Sequence, residues 1–454
     1  MFRRWTLLFT SLVALRGQET RLTITQAVEA ALRNYPSVRV SQEQMNAAAA
    51  GIQLARTAYL PRVDAIAQAN RATRNNILGM VLPQQVLPSI SGPVLHTNNL
   101  ETAWGSSIGT LISWEPFDFG ARKANVAAAT SARARSEAAL KRTEYDIAVA
   151  AADSYLTMLA AQETVRAAQA GVDRAQEITR TITALVNAEL RPGADASRAQ
   201  AELAAARTQL IQSQQAVDIA RANLSRFVGV EPEQITASAP RLFEAPPEQP
   251  VAPLNANTTP IALEQNAVVE QVRAQLKVLE RSYFPRFSLQ GAAYLRGTGA
   301  QTDGTILGGL NGLGPTWQNY AVGLTVTFPI MDIASIHARE AGQSASLRAE
   351  SARLQQIVVD LKAQWNTAVA GLQGARNVAA NTPVQVSAAR AATSQATARY
   401  RAGLGNIDEV AEAQRLLTQA EIDDALARFG VWRALLGVAT AAGDIQPFLV
   451  EASR

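Results

Sequence analysis

The sequence predicts a mainly α fold that also contains a membrane-type β-sheet, built from two copies of one helix–strand–strand–long helix–helix unit. Three observations lead to this fold class. First, Trp104–Trp114 alternates with a period of two and carries a Trp at each end of one face, as a strand would. Second, an Ala-rich run follows Gly120 and contains no Gly or Pro before Gly171, which favours a long helix. Third, the same order of features recurs later in the chain.

The repeat is defined by landmarks with constant spacing. The offset between the copies is 224 before the strands and 214 after them, as shown by Pro36 and Pro260, Pro61 and Pro285, Asp118 and Asp332, and Ala199-Gln200 and Ala413-Gln414. The difference of ten implies a longer loop between the paired strands of the first copy.

These landmarks divide the chain. Residues 1–18 are expected to be a signal peptide, because Arg3 and Arg4 precede the apolar run Trp5–Leu15. Residues 19–230 form repeat 1, residues 231–259 a Pro-rich linker and residues 260–454 repeat 2. In each repeat two strands precede a long helix and a return helix: about 62–72, 104–115, 121–190 and 194–228 in repeat 1, and about 286–296, 319–328, 335–402 and 407–442 in repeat 2.

Prolines are expected to set several boundaries. The first helix should run from about Thr25 to Tyr59 with Thr23 or Thr25 as its N-cap, and Pro36 should end or kink it. Pro116 and Pro329 should end the strands that precede the long helices.

The composition excludes several function classes. The chain has no Cys, which removes disulfides, thiol catalysis and Cys metal sites, and its two histidines, His96 and His337, are too few for a His zinc site. The net charge of +4 is small and the basic residues are interspersed with acidic ones, so a nucleic-acid surface is not predicted. We expect no enzyme activity and no cofactor. No uninterrupted apolar run indicates a transmembrane helix.

The strands favour a membrane sheet. Trp104 and Trp114, and likewise Tyr320 and Phe328, stand at the ends of apolar faces as in the aromatic girdles of outer-membrane barrels. A soluble sheet packed on a helix would also alternate, but it would pair with bulkier helix residues than this Ala-rich chain offers. Four strands leave two open edges in lipid, so two, three or four copies of the chain would have to combine.

The ordered motifs resemble the TolC family of outer-membrane efflux proteins over almost the full mature length. They are Leu22-Thr23-Ile24 to Pro36, Tyr59-Leu60-Pro61, Pro116 to Arg122, Ala152 to Leu156, Tyr400 to Leu404, Asp408-Glu409-Val410 and Glu412-Ala413-Gln414. The resemblance implies a homotrimer in the bacterial outer membrane. Its twelve-stranded β-barrel would continue into a twelve-helix periplasmic α-barrel. It also implies two protein partners, a periplasmic adaptor and an inner-membrane pump.

Three candidate sites follow. From spacing alone, Glu409 and Glu412 are better explained as acids that interact favourably with the dipole at the start of a helix. The resemblance instead implies a periplasmic entrance at Glu409 and Glu412, beside Asp408, with six carboxylates in a trimer. Adaptor-docking tips are expected at the two helix turns, comprising Leu190, Pro192, Gly193, Gly403, Leu404 and Gly405. The strand–helix junctions comprise Pro116, Asp118, Gly120, Pro329 and Asp332, where Arg122 has Ile336 as its counterpart.

The predicted function is a passive exit duct of a tripartite efflux or type I secretion system. A structural coiled-coil protein of the cell envelope, such as a spacer or adhesin stalk, is the alternative from a different class. The sequence does not identify the cargo.

Overall fold

The computed structural model describes residues 20–73, 100–237, 239–248, 250–301 and 305–454. The expected signal peptide and His96 lie outside these residues. The chain forms two compact units. The helical unit comprises Met1–Gln44, Glu137–Asn266 and Arg353–Arg454, and the sheet unit comprises Met45–Ser136 and Ala267–Ala352.

Long helices dominate the secondary structure. In chain order the helices and strands are β1 (Thr20–Leu22), α1 (Ile24–Asn34), α2 (Pro36–Thr57), β2 (Arg62–Thr73), β3 (Thr102–Phe117), α3 (Ala121–Asn187), α4 (Gly193–Val228), β4 (Ile235–Ala237), α5 (Pro260–Arg281), β5 (Arg286–Thr298), β6 (Trp317–Thr327), α6 (Ile333–Arg401), α7 (Ile407–Ala442) and α8 (Gln446–Ser453). The predicted strands and long helices therefore have direct counterparts, with ends that differ by a few residues.

The N-terminal helix is divided at Pro36. Thr23 caps α1 through a capping box, in which its hydroxyl accepts from the Gln26 amide and the Gln26 side chain accepts from the Thr23 amide. Tyr35 closes α1 with an extended backbone, as the residue before a proline prefers. Pro36 then begins α2, where its missing N–H costs nothing.

The sheet unit contains a four-stranded antiparallel sheet in the order β2-β3-β5-β6. The two copies of the repeat meet where β3 pairs with β5, with Ile108 opposite Leu295. One face carries exposed apolar side chains on all four strands: Val63, Ile108, Ile112, Leu289, Leu295, Val322 and Leu324. Val322 and Leu324 are 76% and 62% exposed, so the β6 side of this face is largely uncovered by the described residues.

The expectation that Pro116 ends its strand is wrong, since β3 continues through Pro116 to Phe117. The pairing of β3 with β5 shifts register between Trp114 and Phe117. A proline cannot donate to a regular ladder, but it is tolerated at such an irregularity. In the second copy β6 ends at Thr327, so Pro329 lies beyond the strand and Phe328 just outside it.

The helical unit holds the largest apolar core. Its centre includes the fully buried Tyr155 and Trp432. The Tyr155 hydroxyl donates to the Leu22 carbonyl at 2.8 Å, and the Trp432 indole N–H donates to the Glu244 carbonyl at 2.8 Å. Both polar atoms are therefore satisfied inside the core.

Three short elements, β1, β4 and α8, were not predicted from the sequence. β1 pairs in parallel with β4, with Thr20 opposite Ile235. Because β4 lies within 231–259, the Pro-rich stretch is more than a linker: Ile235 and Leu242 are buried in the core of the helical unit. Three-residue strands are too short to show a period.

Among the described helices, α7 contains an 18-residue window of mean hydropathy 1.2, long and apolar enough for a membrane span. Half of that window is buried. A core helix has the same composition, and α7 contributes Trp432 and Leu436 to the core.

Candidate functional site

The turn between α3 and α4 and the turn between α6 and α7 have the same hydrogen bonding. The Leu190 amide donates to the Leu185 carbonyl at 2.9 Å, and the Leu404 amide donates to the Arg399 carbonyl at 2.9 Å. These pairs are related by the offset of 214 and close each helix in a Schellman-type turn. The left-handed residue is Gly403 (φ +80°) in one turn and Glu189 (φ +60°) in the other.

The predicted tip residues surround these turns. Leu190 and Leu404 follow the left-handed residues and are 69% and 73% exposed. Pro192 is the extended N-cap of α4, and Gly193 is the first residue of that helix. Gly405 is confined, because a Cβ there would lie 3.2 Å from the Glu409 carboxylate.

Tyr400 connects the two turns within the helical unit. Its hydroxyl donates to Asp195 Oδ2 at 2.8 Å, and the Arg191 guanidinium lies 4.4 Å from the centre of its ring. Arg191 also donates to the Tyr400 carbonyl. Burial, together with the hydrogen bond to the Asp195 carboxylate, raises the pKa of Tyr400 from the usual 10.0 to about 12. The phenol is therefore neutral and the contact is formed at neutral pH.

The predicted entrance acids lie at the start of α7. Asn406 caps this helix by accepting from the Glu409 amide at 2.9 Å. Asp408 and Glu412 are 67% and 74% exposed at their side chains, whereas Glu409 is 46% exposed. The acids thus lie together on the accessible first turns of one helix.

Each of these acids lies near an arginine, a feature that was not predicted from the sequence. Arg399 lies 3.8 Å from Glu409, Arg198 lies 3.5 Å from Asp408, and Arg415 lies 3.5 Å from Glu412. These partly exposed pairs are weak. They reduce the negative potential that bare carboxylates would create. The first of these pairs could have been predicted from the sequence, since Arg399 and Glu409 flank the short turn between α6 and α7.

The first-copy junction is a buried ion pair. Asp118 accepts from the Gly120 amide at 3.1 Å and from the amide and Nε of Arg122 at 2.7 and 2.8 Å. Arg122 is 9% exposed, donates to the carbonyls of Pro116 and Ala58, and lies 4.8 Å from the centre of the Tyr59 ring. Burial alone would raise the pKa of the Asp118 carboxyl. The hydrogen bonds from Arg122 and Gly120 outweigh this effect, and the pKa of Asp118 is lowered from its usual value.

The second-copy junction is built differently. Pro329 and Asp332 contribute backbone carbonyls, which accept from the Asp332 and Ile336 amides at 3.2 and 2.8 Å. The counterpart of Tyr59 is Tyr283, whose hydroxyl donates to Glu340 Oε2 at 2.6 Å. Arg122 therefore links the end of β3 to the start of α3 at the first junction, whereas its counterpart at the second junction is the apolar Ile336.

The predicted girdle aromatics border the apolar sheet face. Trp104 pairs with Arg71 across β2 and β3, and the Trp114 indole donates to the Tyr59 carbonyl at 3.1 Å. Tyr320 is 86% exposed and Phe328 is 63% exposed. Among the described residues no group of three or more His, Asp or Glu side chains could hold a metal ion.

The chain resembles known outer-membrane proteins both in sequence and in fold. The outer membrane efflux protein family matches at residues 27–230 and 262–444. A solved structure of the outer-membrane channel OprN is similar with a TM-score of 0.73 at 21% identity, covering 92% of this chain and 89% of that one. The Campylobacter jejuni CmeC outer membrane channel has a TM-score of 0.73 at 16% identity, with coverage of 95% and 89%.

The open-state Neisseria gonorrhoeae MtrE outer membrane channel has a TM-score of 0.73 at 18% identity, covering 96% of this chain and 94% of that one. No curated protein sequence matches. The structural similarities show a shared fold, and the family match extends over most of the chain. The protein therefore belongs to the outer membrane efflux protein family, whose TolC-like members are outer-membrane channels.

Proposed function

We propose that the protein is the outer-membrane duct of a tripartite efflux or type I secretion system. The observation that carries this proposal is the exposed apolar face of a sheet with two open edges, in a chain of the efflux family. Lipid does not tolerate open edges, so the sheets of several copies must join. Three copies give the twelve-stranded barrel that the family resemblance implies, with the helices as a periplasmic tunnel.

The proposed organisation assigns a signal peptide to residues 1–18, and the two repeats to 19–230 and 260–454. The two segments matched by the family support this division. The duct uses no energy itself and catalyses no reaction. A periplasmic adaptor and an inner-membrane pump deliver the substrate.

The proposed entrance is the turn formed by Asp408, Glu409 and Glu412. Their exposure supports this role, whereas their arginine neighbours limit the cation preference that they can impose. Reversing charge with Glu409→Lys and Glu412→Lys together should lower the cation preference of single channels in planar bilayers. Glu177→Lys is the control, because Glu177 is exposed on α3 and is not part of the turn. An unchanged cation preference in the double variant would exclude the entrance assignment.

The proposed adaptor contacts are the exposed turn leucines, Leu190 and Leu404. Leu404→Arg puts a charge on a surface that the adaptor is expected to cover with apolar side chains. The substitution introduces no backbone strain. We expect pump-dependent efflux to be lost while trimers form normally. Ile211→Arg, at a comparably exposed position on α4, should leave efflux intact. Normal efflux by the Leu404 variant would argue against docking at this turn.

A further inference from the structure

One arginine of the sheet unit lies on the apolar face. Arg71 is opposite Trp104 in the β2–β3 register, and alternation places it on the same face as Ala69, Val63 and Ile108. It stands near the end of β2 that leads into the β2–β3 loop, whereas the helices of this unit adjoin the other ends of the strands. An arginine on a lipid-type face is unfavourable unless an anion or water reaches its charge.

The side chain is oriented by two contacts. The Arg71 guanidinium lies 5.6 Å from the centre of the Trp104 ring, and Nε donates to Thr102 Oγ1 at 2.9 Å. The cation–π contact and this single bond hold the side chain against β3. Arg71 is exposed, and its two terminal nitrogens have no hydrogen bond to any described residue. Among the described residues, these four N–H donors therefore have no acceptor.

The charge of Arg71 is also unpaired within the described part of the chain. By contrast, Arg62 on the same strand lies 2.9 Å from Asp64, and Arg122 lies 2.8 Å from Asp118. A planar fork with free donors matches the geometry of a phosphate. Its position beside an aromatic girdle residue is the depth at which lipid headgroups meet a barrel.

We propose that Arg71, stacked on Trp104, binds the phosphate of a lipid headgroup at the outer edge of the barrel. The inference rests on the proposed function. In the proposed barrel, the strand ends that join helices face the periplasm, and the strand ends that join loops lie at the outer leaflet. The ligand is a phosphorylated lipid of that leaflet. The bond is a charge-assisted fork from the terminal nitrogens of Arg71 to phosphate oxygens, while the acyl chains cover Ile108 and its apolar neighbours.

The test measures lipid retained by the full-length trimer. Purified protein is reconstituted into nanodiscs of a phosphate-free galactolipid that contain a minor fraction of bisphosphorylated lipid A, and retained lipid is counted by native mass spectrometry. The wild type should retain lipid A, and Arg71→Gln should retain about fivefold less. Arg62→Gln removes the same charge from the other end of β2 and should behave as wild type. Added inorganic phosphate should not displace the lipid.

Three results would overturn the inference: equal retention by Arg71→Gln, an equal loss in Arg62→Gln, or displacement by inorganic phosphate, which would identify a free-anion site. Each of these presupposes a trimer that enters the nanodisc. Failure of the wild type to enter at all would instead refute the proposed function, and the lipid site with it.

Discussion

Glu189 has a left-handed backbone conformation, and the residue at the matching position of the second repeat is a glycine, Gly403. Its φ of +60° corresponds to +80° at Gly403. A side chain in the left-handed region costs about 1 kcal/mol relative to glycine. The sequence offset of 214 is enough to match Glu189 with Gly403. It does not predict the left-handed backbone of Glu189, which the structure shows.

Glu189→Gly should therefore stabilise the protein by about 1 kcal/mol. The expected result is a higher apparent melting temperature of the purified protein in thermal denaturation. Gly403→Ala is the reciprocal variant and should lower it. A lower melting temperature for Glu189→Gly would show that the carboxylate makes a compensating contact.

Tyr400 gives a pH-dependent prediction at the same scale. Its folded pKa is raised from 10.0 to about 12, so its hydrogen bond to Asp195 contributes fully below about pH 10 and is lost as the pH rises towards 12. The tyrosinate absorbance of wild type minus that of Tyr400→Phe should titrate near 12. A difference titration near 10 would mean that the phenol is not held by Asp195.

Helix α6 contains an internal proline, and its counterpart α3 does not. Pro383 lacks the N–H that would donate to the Ala379 carbonyl. The Thr382 hydroxyl lies 3.4 Å from that carbonyl and 2.8 Å from Asp424 Oδ1, so it is a better partner for the carboxylate on α7. At the matching position α3 has Gln169, whose side chain donates to Asp173.

Pro383→Ala should restore the helical hydrogen bond and stabilise the protein by up to about 3 kcal/mol. Thermal denaturation of the purified protein measures this effect. Gln169→Ala, the matched change in α3, should alter stability by about 0.5 kcal/mol or less. Destabilisation by Pro383→Ala would show that the proline itself contributes to the packing of α6.

At the scale of helices and strands, the features that can be predicted from the sequence are those in which residue types recur at a regular spacing. The alternation after Pro61 and Pro285 and the Ala-rich runs locate strands and long helices, because side-chain spacing follows backbone geometry. Pro116 misleads because a strand irregularity, which depends on the partner strand, accommodates it. The arginine partners of the entrance acids are set by packing between helices, which one sequence does not reveal.

At the scale of the whole molecule, we propose that the chain is one third of a channel. The apolar sheet face and its two open edges are unsatisfied in the described single chain, and family membership supplies the setting in which they are satisfied. This requirement for association follows from strand number. The number of copies comes from the family resemblance rather than from the sheet.

The most direct test is the current through the purified protein in a planar lipid bilayer, with the oligomeric state checked by cross-linking before insertion. A water-filled duct of three chains predicts discrete conductance steps from a cross-linked trimer. Those steps should change in ion selectivity when Glu409 and Glu412 are both reversed to Lys. Trimers that insert into the bilayer and conduct no ions under any voltage, in wild type and variant alike, would contradict the account.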